Sequence, residues 1–245
     1  MDKVGKYLFM AEPFHCDFKG LLIMGHLGNH MLNAADFHST DRGFGMKYLN
    51  TINKTWVLSR LAIEMMEMPS QYDKFYVETW VENAMRYFTQ RNFRVVGEDG
   101  HVYGYGRSVW AMIDTESRQP ADLLAIHDGA IMEWIEKEKE CPIDKGGRVK
   151  MSNDAELKRI IDTYYNDIDI NGHINSVKYI EHVLDLWDLA WYREHQIKRL
   201  EIAYVAEAHQ GDRLSFYQEE TAAQDFSIRI CRDEHTEVAR CRVVF

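Results

Sequence analysis

Two rhythms of apolar and polar positions run through this chain. One is the alternation of half-buried strands, in which successive side chains face opposite sides of a sheet. It predicts strands over residues 4–12, 55–65, 74–83, 86–96 and 101–114, and again over 160–165, 198–206, 213–220, 226–232 and 237–245. These runs are rich in β-branched and aromatic residues, and Glu98-Asp99-Gly100 is a hairpin turn between two of them. The other rhythm is helical. Leu22, Met24, Leu27, Met31, Leu32 and Ala35 recur at helical spacing and predict a helix over 21–38. Ile174, Val177, Ile180, Leu184, Trp187 and Trp191 form a broad apolar face, with Lys178, Glu181, Asp185 and Asp188 as a polar stripe. They predict one long helix over 173–194.

The elements come in the same order twice: a strand, a long helix, then several strands. Tyr72-Asp73-Lys74-Phe75 aligns with Gly211-Asp212-Arg213-Leu214, and Phe88-Thr89-Gln90-Arg91 with Phe226-Ser227-Ile228-Arg229. Residues 98–110 align with 234–245, each ending in an alternating strand that holds a basic residue, Arg107 and Arg242. Such self-similarity is the mark of a tandem duplication. A helix with a wide apolar face beside a strand-rich meander buries that face only by lying on the sheet. The expected fold is therefore α+β, a tandem (double) hotdog, each half an antiparallel sheet wrapped around a long helix. The expected boundaries are 1–125 for the first hotdog, 126–150 for a linker and 151–245 for the second. The linker is suggested by a short charged helix over 131–139, then Cys141-Pro142 and Gly146-Gly147.

Charge and cysteine usage narrow the function classes. Across 245 residues the net charge is −10, which argues against nucleic acid and against an anionic membrane surface as partners. Cys16, Cys141, Cys231 and Cys241 show no CxxC spacing and read as reduced thiols. With no signal-like or membrane-spanning apolar run, the expected location is the cytoplasm.

Candidate chemistry concentrates in residues 166–179, where carboxylates, carboxamides and one imidazole precede the second helix. Three readings compete. Asp167, Asp169, Asn171 and Gly172 fit the start of a calcium loop, but its last position is Lys178, where a bidentate Glu is required. A transition metal at Asp169 and His173 lacks a second His one turn on, and His182 falls on another register. Turn and cap residues explain one or two Asn and Asp, yet not this many with a His among them. A site that holds a carbonyl, a water and a developing oxyanion fits the residue types best.

Asp169-Ile170-Asn171-Gly172-His173-Ile174-Asn175, followed by Val177-Lys178-Tyr179-Ile180, resembles the active-site motif of the fatty acyl-ACP thioesterases of plants and bacteria. Trp56-Val57-Leu58-Ser59-Arg60, Ser108-Val109-Trp110-Ala111-Met112 and Tyr204-Val205-Ala206-Glu207-Ala208 resemble further family motifs, in the family's order. The resemblance implies hydrolysis of a fatty acyl-ACP thioester to fatty acid and ACP, without a cofactor or metal. It implies Asp169, Asn171, His173 and Glu207 as the catalytic set. Ala208 stands where the family has a Cys, which excludes a thiol nucleophile there. Asn175 and its neighbouring N–H groups are expected to bind the thioester oxygen, with Glu207 handling the water, His173 hydrogen-bonding the reacting group and Asp169 orienting Asn171 and His173.

The first half has Cys16-Asp17-Phe18-Lys19-Gly20 at the comparable place, with no Asn-x-His, so one site per chain is expected. The resemblance implies that the first half supplies the acyl pocket, through Met24, Leu27, Gly28, Met31 and Leu32. The implied partner is acyl carrier protein bearing a fatty acyl-phosphopantetheine, and a homodimer is left open. Because that carrier is acidic, Arg42, Lys47, Lys54, Arg86, Arg91, Lys198 and Arg199 are candidates for docking it. An acyl-CoA thioesterase, a hydratase and a non-enzymatic acyl-binding hotdog remain as rivals.

Overall fold

A computed structural model describes residues 2–152, 154–233 and 235–245. The chain forms two compact units, residues 1–144 and 145–245. In the first, strands β1 (Gly5–Met10), β2 (Lys54–Met65), β3 (Lys74–Ala84), β4 (Phe88–Gly97) and β5 (Val102–Asp114) pair antiparallel in the order β1-β3-β4-β5-β2. In the second, β6 (Glu156–Asp162), β7 (Arg199–Tyr204), β8 (Arg213–Ala222), β9 (Asp225–Arg232) and β10 (Thr236–Val244) pair in the order β6-β8-β9-β10-β7. Counting strands within each unit, the two orders are identical. The duplication seen in sequence is thus a duplication of topology, and each unit has the hotdog arrangement.

In the first unit helix α1 (Met24–Thr40) packs on β1 and β3. Met24, Leu27, Gly28, Met31, Ala34 and Ala35 are buried, and Leu32 lies half-buried beside them. Beneath, Phe75, Trp80 and Phe93 are fully enclosed, each contributing roughly 1.5–3 kcal/mol or more by leaving water. Gly106 on β5 permits the close fit: a Cβ there would lie 3.1 Å from the Met31 sulfur and 3.3 Å from the Ala62 carbonyl oxygen. A short helix α2 (Met46–Thr51), which the pattern did not predict, buries Leu49.

Two expectations are corrected. The single helix over 173–194 is two: α3 (Ser176–Leu184) and α4 (Leu189–Glu194). Asp188 starts the second by accepting the N–H of Trp191 at 2.8 Å, a cap that favours a fresh helix start over continuation. Trp187 and Trp191 then close on Phe226 and Phe245, with ring centroids 5.0–5.8 Å apart. Residues 126–143 are not a free linker either. Ile126, Ile131 and Ile135 are buried with Leu49, Val81 and Met112, while Cys141 and Ile143 pack on Trp80. Arg107 ties the segment down by donating to the Cys141 and Ile143 carbonyls. No helix spans 131–139: the 3-10 segment Leu123–Trp134 is interrupted by left-handed His127, Asp128 and Gly129. No helix among the described residues is long and apolar enough to cross a membrane.

Candidate active site

The chemistry-bearing residues of the second unit sit on three pieces of chain: a 3-10 turn (Tyr165–Asp167), the loop leading into α3, and the loop after β7. The first loop is shaped by Asp169. Its carboxylate accepts the N–H of Asn171 at 2.8 Å and of His173 at 3.2 Å. Gly172 completes the turn at a φ of 80°, a conformation that glycine adopts without a Cβ penalty. The Asn171 side chain lies 3.5 Å from the other Asp169 oxygen. Asp169 and Asn171 therefore belong to one small turn, and His173 leaves it in a fixed direction.

The loops meet at His173. Its Nε2 lies 3.3 Å from Oε2 of Glu207, on the loop after β7. The His173 side chain is 24% exposed and that of Glu207 38%, so the pair is open to an incoming substrate. Ile174 N–H joins the loops by donating to the Ala208 carbonyl at 2.9 Å, and Arg232 of β9 anchors the second by donating to the Glu207 carbonyl at 3.0 Å. Ala208 is fully buried. Asn175 caps α3, its side chain accepting the N–H of Val177 at 2.9 Å, and its own N–H donates to the Asp167 carbonyl at 2.8 Å. The structure thus brings Asp169, Asn171, His173, Asn175 and Glu207 into one neighbourhood of the second unit. Met24, Leu27, Gly28, Met31 and Leu32 lie on α1 of the first.

Two participants escaped sequence reasoning. His209 sets its ring edge-to-face on His173, centroids 5.1 Å apart, and its N–H donates to Asp212 at 2.8 Å. Its place two residues after Glu207 was the available signal. Donor atoms of His173, Glu207 and His209 lie within 4.8 Å of one another, so the group has the composition of a metal site as well as of an acid–base pair. The second is the pair of buried Asp167 and half-buried His182, 2.9 Å apart. His182 lies on α3 and Asp167 just before the loop, so this bond clamps loop to helix from beneath.

The family description "Acyl-ACP thioesterase N-terminal domain" matches residues 6–126, and "Acyl-ACP thioesterase C-terminal domain" matches residues 150–243. The chain belongs to the acyl-ACP thioesterase family. Among solved structures, an acyl-ACP thioesterase from Bacteroides thetaiotaomicron is 51% identical, with a TM-score of 0.93, covering 99% of this chain and 98% of that one. The 12:0-ACP thioesterase from Umbellularia californica shares the fold at a TM-score of 0.87 and 19% identity, covering 100% of this chain and 97% of its own. Oleoyl-acyl carrier protein thioesterase 2 of Arabidopsis thaliana is 26% identical over 198 residues, 75% of this chain and 52% of that protein. The chain spans about half the length of the first curated relatives it matches.

Burial bears on two other groups of side chains. Burial pushes the thiols of Cys16, Cys141, Cys231 and Cys241 above their ordinary value, so none is poised as a thiolate nucleophile. Of the candidate docking cations, Arg91 and Arg199 are buried. Arg91 donates to Thr79 and Ser39, and Arg199 to Glu201. Lys54 pairs with Asp114, and Arg86 with Asp122.

Proposed function

We propose that this chain hydrolyses fatty acyl-ACP, releasing the fatty acid and ACP through attack by an activated water. The observation that carries the proposal is the 3.3 Å approach of His173 to Glu207, on a loop that the Asp169 carboxylate organises from within. A thioester is an activated acyl group with a good leaving thiolate, so a positioned water, a base and an oxyanion site suffice. Glu207 takes the proton of the water. His173 hydrogen-bonds the reacting group and delivers a proton to the departing pantetheine sulfur. Asp169 orients Asn171 and His173, and Asn171 steadies the water.

The donor for the thioester oxygen is the N–H of Ser176, first residue of α3, where the helix dipole favours negative charge. Its neighbours are committed: the N–H of Asn175 to the Asp167 carbonyl, and that of Val177 to the Asn175 side chain. Asn175 thus serves the substrate by fixing the helix start. The buried face of α1, with Met24, Leu27, Gly28, Met31 and Leu32, receives the acyl chain, and the acyl carrier protein delivers it.

The test is single-turnover hydrolysis of a mixed acyl-ACP pool, with the released fatty acids identified. Glu207→Gln should slow release by about 10²–10⁴-fold, the usual contribution of a general base. A near wild-type rate in Glu207→Gln would remove the base assignment, and faster turnover of the same acyl groups on CoA would reassign the carrier.

A further inference from the structure

The two units carry their histidines differently, and the first unit's set has no part in the chemistry above. His30 and His182 occupy matching places, each six residues after the first residue of its helix, Met24 or Ser176. His15 and Asp167 also match, each closing the 3-10 turn before its loop. In the second unit the pair is self-sufficient, for Asp167 faces His182 at 2.9 Å. In the first unit both places hold imidazoles, and Glu12 has come between them. Oε2 of Glu12 lies 3.1 Å from Nδ1 of His15 and 3.8 Å from Nε2 of His30.

His30 is the telling residue. It is only 8% exposed, and its Nε2 is buried without a hydrogen-bond partner among the described residues. Phe9 and Phe75 pack on its ring, at 4.6 and 5.8 Å between centroids. An orphaned buried ring nitrogen is costly to leave unmet, and this one points toward a carboxylate too far away to accept from it. His26 stacks on His15, centroids 4.1 Å apart, and limits where the His15 ring can turn.

We propose that Glu12, His15 and His30 form a binding site for a divalent transition-metal ion of borderline character, Zn²⁺ foremost. Two imidazoles and one carboxylate are a donor set that this class of ion favours, with a fourth position left for water. A tetrahedral ion with bonds of about 2.0–2.1 Å places its ligand atoms about 3.3 Å apart. The observed 3.1 and 3.8 Å lie on either side of that value, and one donor atom of each residue falls within 4.8 Å of the others. Occupation would satisfy the His30 nitrogen and tie the turn Pro13–His15 to α1. The site is structural and separate from the hydrolytic groups, so it stands or falls independently of the proposed reaction.

The experiment uses the full chain without a polyhistidine tag, freed of metal by chelation, in a His209→Ala background. That substitution removes one donor of the His173 cluster. Calorimetric titration with Zn²⁺ should show one equivalent bound, and Zn²⁺ should raise the unfolding midpoint. Adding His15→Ala or Glu12→Gln should weaken binding by at least about tenfold, since even outer-shell partners of a metal cost 10–100-fold when lost, and should abolish the midpoint rise. Both side chains are near 40% exposed, at 40% and 42%, so these variants keep the fold. Failure of the His209→Ala chain to bind Zn²⁺, or binding that survives both added substitutions, overturns the proposal.

Discussion

Removing the Asp169 carboxylate separates what the site loop contributes to stability from what it contributes to rate. Asp169 accepts two backbone N–H groups, from Asn171 and His173. At about 1 kcal/mol net for each hydrogen bond, Asp169→Ala should destabilise the chain by about 2 kcal/mol. It should also let His173 and Asn171 drift, and a displacement of about 1 Å costs on the order of 100-fold in rate. Asp169→Asn keeps an acceptor oxygen in place and should retain most of both. The first unit provides a built-in comparison. Asp17 accepts the N–H of Lys19 at 2.8 Å and of Leu21 at 3.0 Å, in a turn completed by Gly20 at a φ of 75°. Asp17→Ala should therefore cost a similar 2 kcal/mol or so while hydrolysis stays near the wild-type rate. Urea denaturation followed by tryptophan fluorescence gives the stabilities, and single-turnover hydrolysis of acyl-ACP gives the rates. If Asp17→Ala slows hydrolysis as much as Asp169→Ala, the loss reflects stability alone and the orienting role fails. If Asp169→Asn is as damaging as the alanine, the charge rather than the acceptor geometry matters.

Two further outcomes are expected. His38 on α1 is buried and its Nε2 donates to the Lys3 carbonyl at 3.0 Å, and burial, with Arg91 and Arg42 nearby, pushes its pKa down to about 3. A depressed histidine pKa means that the unfolded chain takes the proton first, so stability is full above about pH 6.5 and falls as pH drops. From pH 7 to pH 5 the loss from this residue is about 2 kcal/mol, and His38→Gln should flatten urea midpoints across that range; an unchanged slope would refute it. Gly28→Leu on the buried face of α1 should shift released fatty acids toward shorter chains, at a stability cost of about 1–3 kcal/mol from overpacking. An unaltered product profile by gas chromatography would count against α1 as the acyl pocket.

The strands were legible because alternation survives wherever one face is buried, and the matching strand order of the two units could be anticipated from turn-plus-strand pairs such as 72–75 with 211–214. What failed was local. Asp188 fits a polar stripe by spacing, but its side chain caps a new helix, and periodicity carries no sign of that choice. Residues 126–150 resemble a linker because their charges, Pro142 and Gly146-Gly147 outweigh Ile126, Ile131 and Ile135, which are spaced for burial. Arg91 and Arg199 looked like surface cations because sequence does not disclose a buried partner. At the site, the Asp169–Asn171–His173 turn is written in adjacent residues, and family likeness points to Glu207. Asp167 with His182, and His209 against His173, depend on contacts between separate pieces of chain.

The shared strand order has a consequence for inheritance. When one fold is present twice and only one copy holds the reacting groups, a substitution in the other copy no longer strikes the chemistry. Leu21 stands where His173 stands, and Ile23 where Asn175 stands, so under the proposed assignment the first copy is released from that duty. With the proposed roles, selection can tune the length of the released product through α1 and the speed of its release through residues 166–179. The two traits need not trade against each other, and a lineage of such proteins can diversify in one while conserving the other.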